Sequence, residues 1–120
     1  MRRSENGCDC TAVHQEIVDK VKDEMISEER VTEITKFFSI FGDLTRMRIL
    51  LALDKGEMCV NDLAVVMNMT KSVVSHQLKI LKEYQLVKSR KSGRNSFYYL
   101  SDDHVRQIVE MAVEHLGEDD

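Results

Sequence analysis

The sequence predicts a mainly α-helical fold of about five to six helices that carries one β-hairpin. Three observations lead to this fold class. Apolar residues recur at helical spacing through much of the chain, which predicts amphipathic helices. Two short stretches, 86–90 and 96–100, flank a glycine-containing turn, which predicts a hairpin. Two short helices joined by only three residues precede that hairpin, as in a helix-turn-helix.

The N-terminal third predicts an arm and two helices. Residues 1–10 show no apolar periodicity and are expected to form a flexible arm, which leaves 11–120 as one domain. A short amphipathic helix is predicted over about 11–25. Ser27 can cap a second helix that runs to about Phe41, and Gly42 follows as a glycine beyond a helix terminus should.

The centre of the chain predicts three further helices and the hairpin. The helices span about 44–53, 61–67 and 71–84, and their predicted N-caps are Asp43, Asn61 and Thr70. A three-residue turn joins the last two of these helices. The hairpin turn is predicted over 91–95, where Gly93 supplies the unusual backbone angles. A basic-tipped hairpin after a helix-turn-helix is a wing, so the predicted fold is a winged helix-turn-helix.

Charge is distributed unevenly along the chain. The formal net charge is −4, yet residues 70–94 carry seven basic side chains against the single acid Glu83. Residues 101–120 carry seven acidic side chains against Arg106. A basic segment inside an acidic protein is a local electrostatic footprint for nucleic acid. The partner predicted from this segment is double-stranded DNA.

The second helix of the helix-turn-helix and the wing supply the predicted DNA contacts. The helix offers polar and basic side chains for phosphates or base edges in the major groove, and its first backbone N–H groups favour phosphate. The hairpin offers basic side chains for the DNA backbone or the minor groove. The predicted contacts are Thr70, Lys71, Ser72, Ser75, His76, Gln77, Lys79, Lys88, Arg90, Lys91 and Arg94. A solvated basic surface is the simpler alternative, and which residues read bases stays open.

The last twenty residues predict an amphipathic helix, capped by Ser101 or Asp102, with metal ligands at both ends. Asp102 and His104 stand at its start, and His115 and Glu118 near its finish. The two histidines lie on one stripe but about 16 Å apart along the axis. Zinc–nitrogen bonds are only about 2.0–2.1 Å long, so one helix cannot bring all four ligands to one ion. An antiparallel second copy can, which predicts a homodimer with two shared metal sites.

Composition limits the class of protein. A hydrophobic content of 42% and a charged content of 32% are typical of a globular domain. No run of about 18 apolar residues is present, and polar residues follow Arg2 and Arg3, so neither a membrane span nor a secretory signal is expected. We therefore expect a cytoplasmic location, where Cys8, Cys10 and Cys59 stay thiols or bind metal. The sequence contains no nucleophile–base pair or phosphate-cradling glycine loop, so an enzyme is not expected.

Four stretches together resemble the ArsR/SmtB family of metal-sensing winged-helix repressors, and they span nearly all of the chain. They are FGDLTRMRILLAL, EMCVNDLA, SVVSHQLKILKEYQLVKSRKSGRNSFYYL and the ending DDHV…EHLGE. Leu44 stands where the family's GDPTR motif has proline, a change that costs a rigid turn and nothing chemical. The resemblance implies an intersubunit zinc-type site on the last helix, with the four ligands named above. It also implies that the N- and C-terminal helices are dimerisation helices.

The resemblance implies a second metal site as well. Cys59 and Asp62 match the family's ligands on the first helix of the helix-turn-helix. Cys10 and His14 match the ligands that the N-terminal arm of the other subunit supplies, and Cys8 is a further thiolate nearby. A buried small hydrophobic residue is the simpler interpretation of Cys59.

Ligand chemistry orders the candidate metals. Two histidines and two carboxylates suit Zn(II), with Co(II) as its laboratory substitute. The thiolate-containing set is softer and could also hold Cd(II) or Pb(II). Asn61 replaces the second cysteine of the Cys-Val-Cys motif of arsenic-, cadmium- and lead-sensing members, which weakens a purely soft-metal interpretation.

The predicted function is that of a metal-responsive repressor. Its apo dimer would bind operator DNA, and Zn(II) would cause release and derepression of metal-resistance genes. Two alternatives stay open. One is a thiol-redox-responsive winged-helix repressor that uses Cys8, Cys10 and Cys59, and the other is a zinc-buffering protein without an operator.

Overall fold

The computed structural model of the chain describes residues 8–117, which form six helices and a three-stranded antiparallel sheet. The elements in chain order are α1 (Gln15–Glu24), α2 (Glu28–Phe41), α3 (Leu44–Lys55), β1 (Met58–Cys59), α4 (Val60–Met67), α5 (Lys71–Glu83), β2 (Val87–Ser92), β3 (Asn95–Leu100) and α6 (Asp103–Leu116). The predicted fold class, a mainly α-helical winged helix-turn-helix, is confirmed. No helix among these residues is long and apolar enough to cross a membrane.

The chain divides into two compact units, residues 1–37 and 38–120. The first holds α1 and most of α2. The Ser27 hydroxyl accepts the Arg30 N–H at 3.1 Å, so the predicted cap of α2 is confirmed. Helix α1 is shorter than predicted and carries no buried residue. Residues 1–7 of the predicted arm lie outside the described residues.

The second unit holds the core, which fixes α5 and α6 against α3. Each helix contributes apolar side chains from one face, and the central members are Ile49, Leu50, Leu53, Leu63, Met67, Val74, Leu78, Leu81, Val105 and Val109. Full burial of one such side chain contributes about 1.5–3 kcal/mol relative to exposure. The core therefore sets which faces of α5 and α6 remain outside, and those faces carry the candidate functional residues.

The turn between α4 and α5 is closed by local hydrogen bonds. Asn68 adopts the left-handed conformation with φ 56°. Its N–H donates to the Val65 carbonyl at 3.2 Å, and the Met69 N–H donates to the Ala64 carbonyl at 3.1 Å. These two bonds form a Schellman motif, which ends α4 sharply. The Thr70 hydroxyl then accepts the Val73 N–H at 3.2 Å, so the predicted cap of α5 is confirmed.

The wing has longer strands and a shorter turn than the sequence predicts. Strands β2 and β3 pair from Val87 opposite Leu100 to Ser92 opposite Asn95, so the turn has two residues rather than the five predicted. Gly93, with φ 64°, is the first turn residue. A positive φ at that position matches the twist of the flanking strands, which lets the pairing continue to the tip.

A third strand, β1, is absent from the prediction and changes where α4 begins. Cys59 pairs with Phe97 of β3 and is itself the N-cap residue of α4, without a side-chain hydrogen bond. The predicted Asn61 cap is therefore wrong, because Asn61 lies inside the first helical turn. The strand pairing holds Cys59 extended up to the first helical residue, so the cap position falls on Cys59, whose side chain makes no capping hydrogen bond.

Candidate functional site

Helix α5 presents a polar face opposite its buried one. Val74, Leu78 and Leu81 are buried, so the helix is anchored along one stripe. Side chains predicted to contact DNA are exposed on the rest of its surface, namely Lys71, Ser72, Ser75, His76 and Lys79, and Thr70 is exposed at its cap. The anchored stripe and the free polar face together make α5 a rigid element on which these groups can meet a DNA groove.

Gln77 differs from its neighbours on α5 because it is half-buried. Its side-chain oxygen accepts a hydrogen bond from Arg46 Nη1 at 3.3 Å. Arg46 lies on α3, and its Nε also donates to the Ile40 carbonyl at 2.9 Å. One arginine therefore joins the end of α2 to the middle of α5.

The wing carries its basic residues on the outside. Lys88, Arg90, Lys91 and Arg94 are all exposed. Arg90 is already engaged within the chain, since its Nη2 lies 2.7 Å from Glu57 Oε1 and its guanidinium lies 5.1 Å from the Phe97 ring centroid. At the base of the wing, Lys82 Nζ donates to Ser89 Oγ at 2.8 Å, which ties the end of α5 to β2.

Asp102 makes two contacts at the start of α6. Its Oδ1 accepts the Val105 N–H at 3.1 Å, so the cap predicted at Ser101 or Asp102 is Asp102. Its Oδ2 lies 3.9 Å from Nδ1 of His104, whose side chain is 88% exposed. The helix cap thus orients the carboxylate, while its second oxygen remains beside an accessible imidazole.

The two histidines of α6 line one apolar groove, as their spacing predicts. The groove is open to solvent and has a volume of about 650 Å³, and its other lining residues are Phe38, Gln107, Ile108, Met111 and Ala112. Glu118, the fourth predicted ligand, lies outside the described residues. Among residues 8–117 of one chain, no three histidine, cysteine or acidic side chains come together as a group that could hold a metal ion.

The second predicted ligand set is divided between the two units. In the second unit, Cys59 is half-buried and Asp62 is exposed in the first turn of α4. In the first unit, His14 is the N-cap residue of α1, and the Cys10 N–H donates to Cys8 Sγ at 3.3 Å. The hydrogen bond between the cysteine side chains, together with slight desolvation, raises the pKa of the Cys10 thiol above its ordinary value.

Sequence reasoning missed the polar residues that connect elements distant in the chain. Arg106 of α6 donates from Nη1 to the carbonyl and carboxylate oxygens of Asp54 at the end of α3. The signal for such contacts was present, because Arg46 and Arg48 lie among the apolar residues of α3. Charged side chains in a helix that packs into the core need partners, and those partners are the polar groups of neighbouring helices.

Comparison with known proteins supports this arrangement. The family model described as "Bacterial regulatory protein, arsR family" matches residues 43–89. A transcriptional repressor SmtB homolog from Synechocystis is 42% identical over 113 residues, which are 94% of this chain and 86% of that protein. A cadmium resistance transcriptional regulatory protein CadC homolog from Staphylococcus aureus is 34% identical over 112 residues, which are 92% of each protein.

Solved structures agree on the fold. A homodimeric winged helix-turn-helix DNA-binding domain from Mycobacterium bovis superimposes with a TM-score of 0.67 at 24% identity, covering 78% of this chain and 94% of that one. The relatives named above are transcriptional regulators rather than enzymes. Identity of 42% along nearly the whole chain, the matched helix-turn-helix and the wing lead to one conclusion: the chain belongs to the arsR family of bacterial regulatory proteins.

Proposed function

We propose that the protein is a metal-responsive transcriptional repressor whose apo dimer binds operator DNA and whose Zn(II)-bound form releases it. Release would derepress metal-resistance genes. The observation that carries the proposal is the arrangement of Asp102, His104 and His115 along α6, where both histidines line one groove and the helix cap orients the carboxylate. The same chain carries a basic, rigidly anchored α5 and wing.

The donor set fits zinc chemically. Imidazole nitrogen and carboxylate oxygen are both common Zn(II) ligands, and four of them give a closed tetrahedral site. Asp102 accepts a backbone hydrogen bond with one oxygen, which is the kind of outer contact that orients a ligand carboxylate. The residues that would hold the ion are Asp102 and His104 of one protomer, with His115 and Glu118 of the other.

A second protomer is required by this proposal, and two features support one. Met111, Val113 and Leu116 of α6 are more than half exposed although they are apolar. Helix α1 likewise exposes Ile17 and Val21. Such faces would gain from burial against another copy, and the Mycobacterium bovis neighbour is homodimeric.

The proposed DNA surface consists of the exposed face of α5 and the basic wing. Its contacts are those predicted from the sequence, from Thr70 to Lys79 on the helix side and Lys88, Arg90, Lys91 and Arg94 on the wing. Lysine and arginine contacts to phosphate make binding strongly salt-dependent. Metal and DNA would then oppose each other by a reciprocal coupling, in which each weakens the other's affinity by the same factor.

The metal could also act at the second set, Cys10, His14, Cys59 and Asp62, with Cys8 nearby. The name of the Staphylococcus relative associates that protein with cadmium resistance. Thiolates favour Cd(II) or Pb(II), whereas Co(II) would substitute for zinc on α6. We assign zinc to α6 and treat the cysteine set as the candidate for softer ions.

The deciding experiment measures operator binding by the full-length protein with and without zinc, cadmium and lead. An operator is first obtained by selection from random duplex DNA with the apo protein. Zinc should release DNA from wild type and from Cys59→Ser, but not from His115→Ala. Release by oxidant rather than by metal would instead favour the thiol-redox alternative, and zinc binding without any selected DNA would favour the buffering one.

A further inference from the structure

We propose that Arg46 is a positioning residue for sequence recognition, which fixes the hydrogen-bonding pattern that Gln77 presents to DNA. The inference rests on the proposed function, because it concerns how α5 would read an operator. It adds a residue of α3, which is not itself among the predicted DNA contacts, to the determinants of specificity.

Arg46 donates hydrogen bonds at the start of its own helix α3, to the end of α2 and to α5. Its backbone N–H donates to Asp43 Oδ2 at 3.0 Å, which places it in the first turn of α3. Its Nε donates to the carbonyl of Ile40, one of the last four carbonyls of α2, which lack a partner within their helix. Its Nη1 donates to Gln77 Oε1 on α5. The rigid guanidinium fork is suited to holding two acceptors at a fixed separation.

The hydrogen bond from Arg46 limits which DNA groups Gln77 can bind. A free glutamine can pair with adenine in the major groove, because its oxygen accepts from N6 while its nitrogen donates to N7. In this chain the Gln77 oxygen already accepts from Arg46, which leaves both amide N–H groups but only one lone pair of that oxygen for DNA. Because Arg46 also orients the oxygen towards α3, Gln77 would act chiefly as a donor, towards guanine O6 or N7, thymine O4 or a phosphate. Loss of Arg46 would free the oxygen to turn towards adenine and would strengthen that pairing.

Helix α3 supplies a matched control in Arg48. This side chain also donates to a neighbouring helix, from Nη2 to the Met67 carbonyl at 3.3 Å. That contact ends on α4 rather than on α5. Arg48→Met therefore removes the same charge and a comparable interhelical hydrogen bond, and it leaves Gln77 held by Arg46.

The experiment selects binding sites from random duplex DNA with wild type, Arg46→Met, Arg46→Lys, Arg48→Met and Gln77→Ala. Each variant is then titrated with the wild-type site and with a scrambled duplex at two salt concentrations. We expect Arg46→Met to lose about three- to tenfold in discrimination, the worth of one hydrogen bond. Adenine should become favoured at one position of each half-site. The salt dependence should not change, because Arg46 releases no phosphate counterion.

Arg46→Lys keeps the charge but lacks the planar fork, so it should shift the same base position even if Arg46→Met folds poorly. Arg46→Lys combined with Gln77→Ala should match Gln77→Ala alone, since Arg46 acts through Gln77. Unchanged base preference in both Arg46 variants, or the same change in Arg48→Met, would overturn the inference while the proposed function stands. If wild type enriches no sequence at all, the proposed function fails, and this inference fails with it.

Discussion

Asp102 and His104 face each other across the N-terminus of α6, with Oδ2 of the carboxylate 3.9 Å from Nδ1 of the imidazole. The other carboxylate oxygen is bound to the Val105 N–H. Asp102 therefore stabilises the helix with one carboxylate oxygen, and the other oxygen remains available for the proposed metal ion. The two roles can be separated by substitution, because asparagine caps a helix about as well as aspartate.

Asp102→Asn should weaken zinc binding while it leaves the fold intact. The asparagine oxygen can still accept the Val105 N–H, so we expect the free energy of unfolding of the apo protein to change by less than about 0.5 kcal/mol. Zinc affinity should fall by at least about tenfold, because a charged ligand is lost. Competition with a chromophoric chelator measures the affinity, and urea unfolding measures the stability.

Asp102→Ala is the matched control for that substitution. It removes both the cap and the ligand, so it should lose about 1 kcal/mol of stability in addition to the zinc affinity. If Asp102→Asn binds zinc as tightly as wild type, Asp102 is a cap and nothing more.

Arg106→Met should loosen α6 from the rest of the second unit. Arg106 is bound to the carbonyl and carboxylate of Asp54, and the Asp54 side chain is only 8% exposed. Removal of the guanidinium leaves a nearly buried carboxylate without this partner, which should cost about 2 kcal/mol. Urea unfolding at one fixed protein concentration checks the value. Lys55→Ala, an exposed neighbour of Asp54, should change stability by less than about 0.5 kcal/mol, and equal losses in both variants would contradict the assignment.

Local signals in the sequence were sufficient for most of the helices. Ser27, Asp43, Thr70 and Asp102 were each expected to cap a helix, and each accepts a hydrogen bond from the backbone N–H three residues later. A cap is a short-range interaction, so the residue type and the apolar spacing that follows it carry the information. The apolar stripes of α3 and α5 entered the core for the same reason.

Contacts between distant residues could not be predicted in this way. Strand β1 has two residues and exists because Cys59 pairs with Phe97 of β3, and no local pattern marks it. Arg46 and Gln77 are 31 positions apart, and the spacing of apolar residues along the chain does not predict a contact between such distant polar residues. The metal site remains a prediction for a similar reason, since its proposed ligands belong to two protomers and Glu118 lies outside the described residues.

Glu57→Ala should strengthen DNA binding by releasing Arg90. The Glu57 carboxylate accepts from both Nε and Nη2 of Arg90, at 2.9 and 2.7 Å. An arginine without this partner can turn to a phosphate, so the affinity at low salt should rise by about tenfold. The slope of log affinity against log salt should steepen by about one. Fluorescence anisotropy with a labelled duplex at several salt concentrations measures both quantities.

Two controls distinguish release of Arg90 from a simple change of net charge. Glu83→Ala removes one negative charge from the end of α5 and should raise affinity less. Glu57→Ala combined with Arg90→Ala should lose the gain altogether. A gain that survives the loss of Arg90 would show that the wing arginine is not the group that Glu57 restrains.

Gln85→Gly should stabilise the protein. Gln85 follows α5 in the left-handed conformation with φ 63°, which is unfavourable for any residue with a Cβ atom. Its N–H donates to the Lys82 carbonyl at 3.0 Å, and the Leu86 N–H donates to the Leu81 carbonyl at 2.9 Å, so the Schellman motif fixes this backbone. Glycine adopts the same angles without strain and should add about 1 kcal/mol to the free energy of unfolding.

Asn68→Gly is the comparison for that substitution, because Asn68 occupies the equivalent position after α4 with φ 56°. Asparagine tolerates the left-handed region better than glutamine, so its replacement should gain less. We expect Gln85→Gly to raise the thermal midpoint by about 4 °C at matched protein concentration, with Asn68→Gly giving a smaller rise. The reverse order would mean that the Gln85 side chain makes stabilising contacts that outweigh its backbone strain.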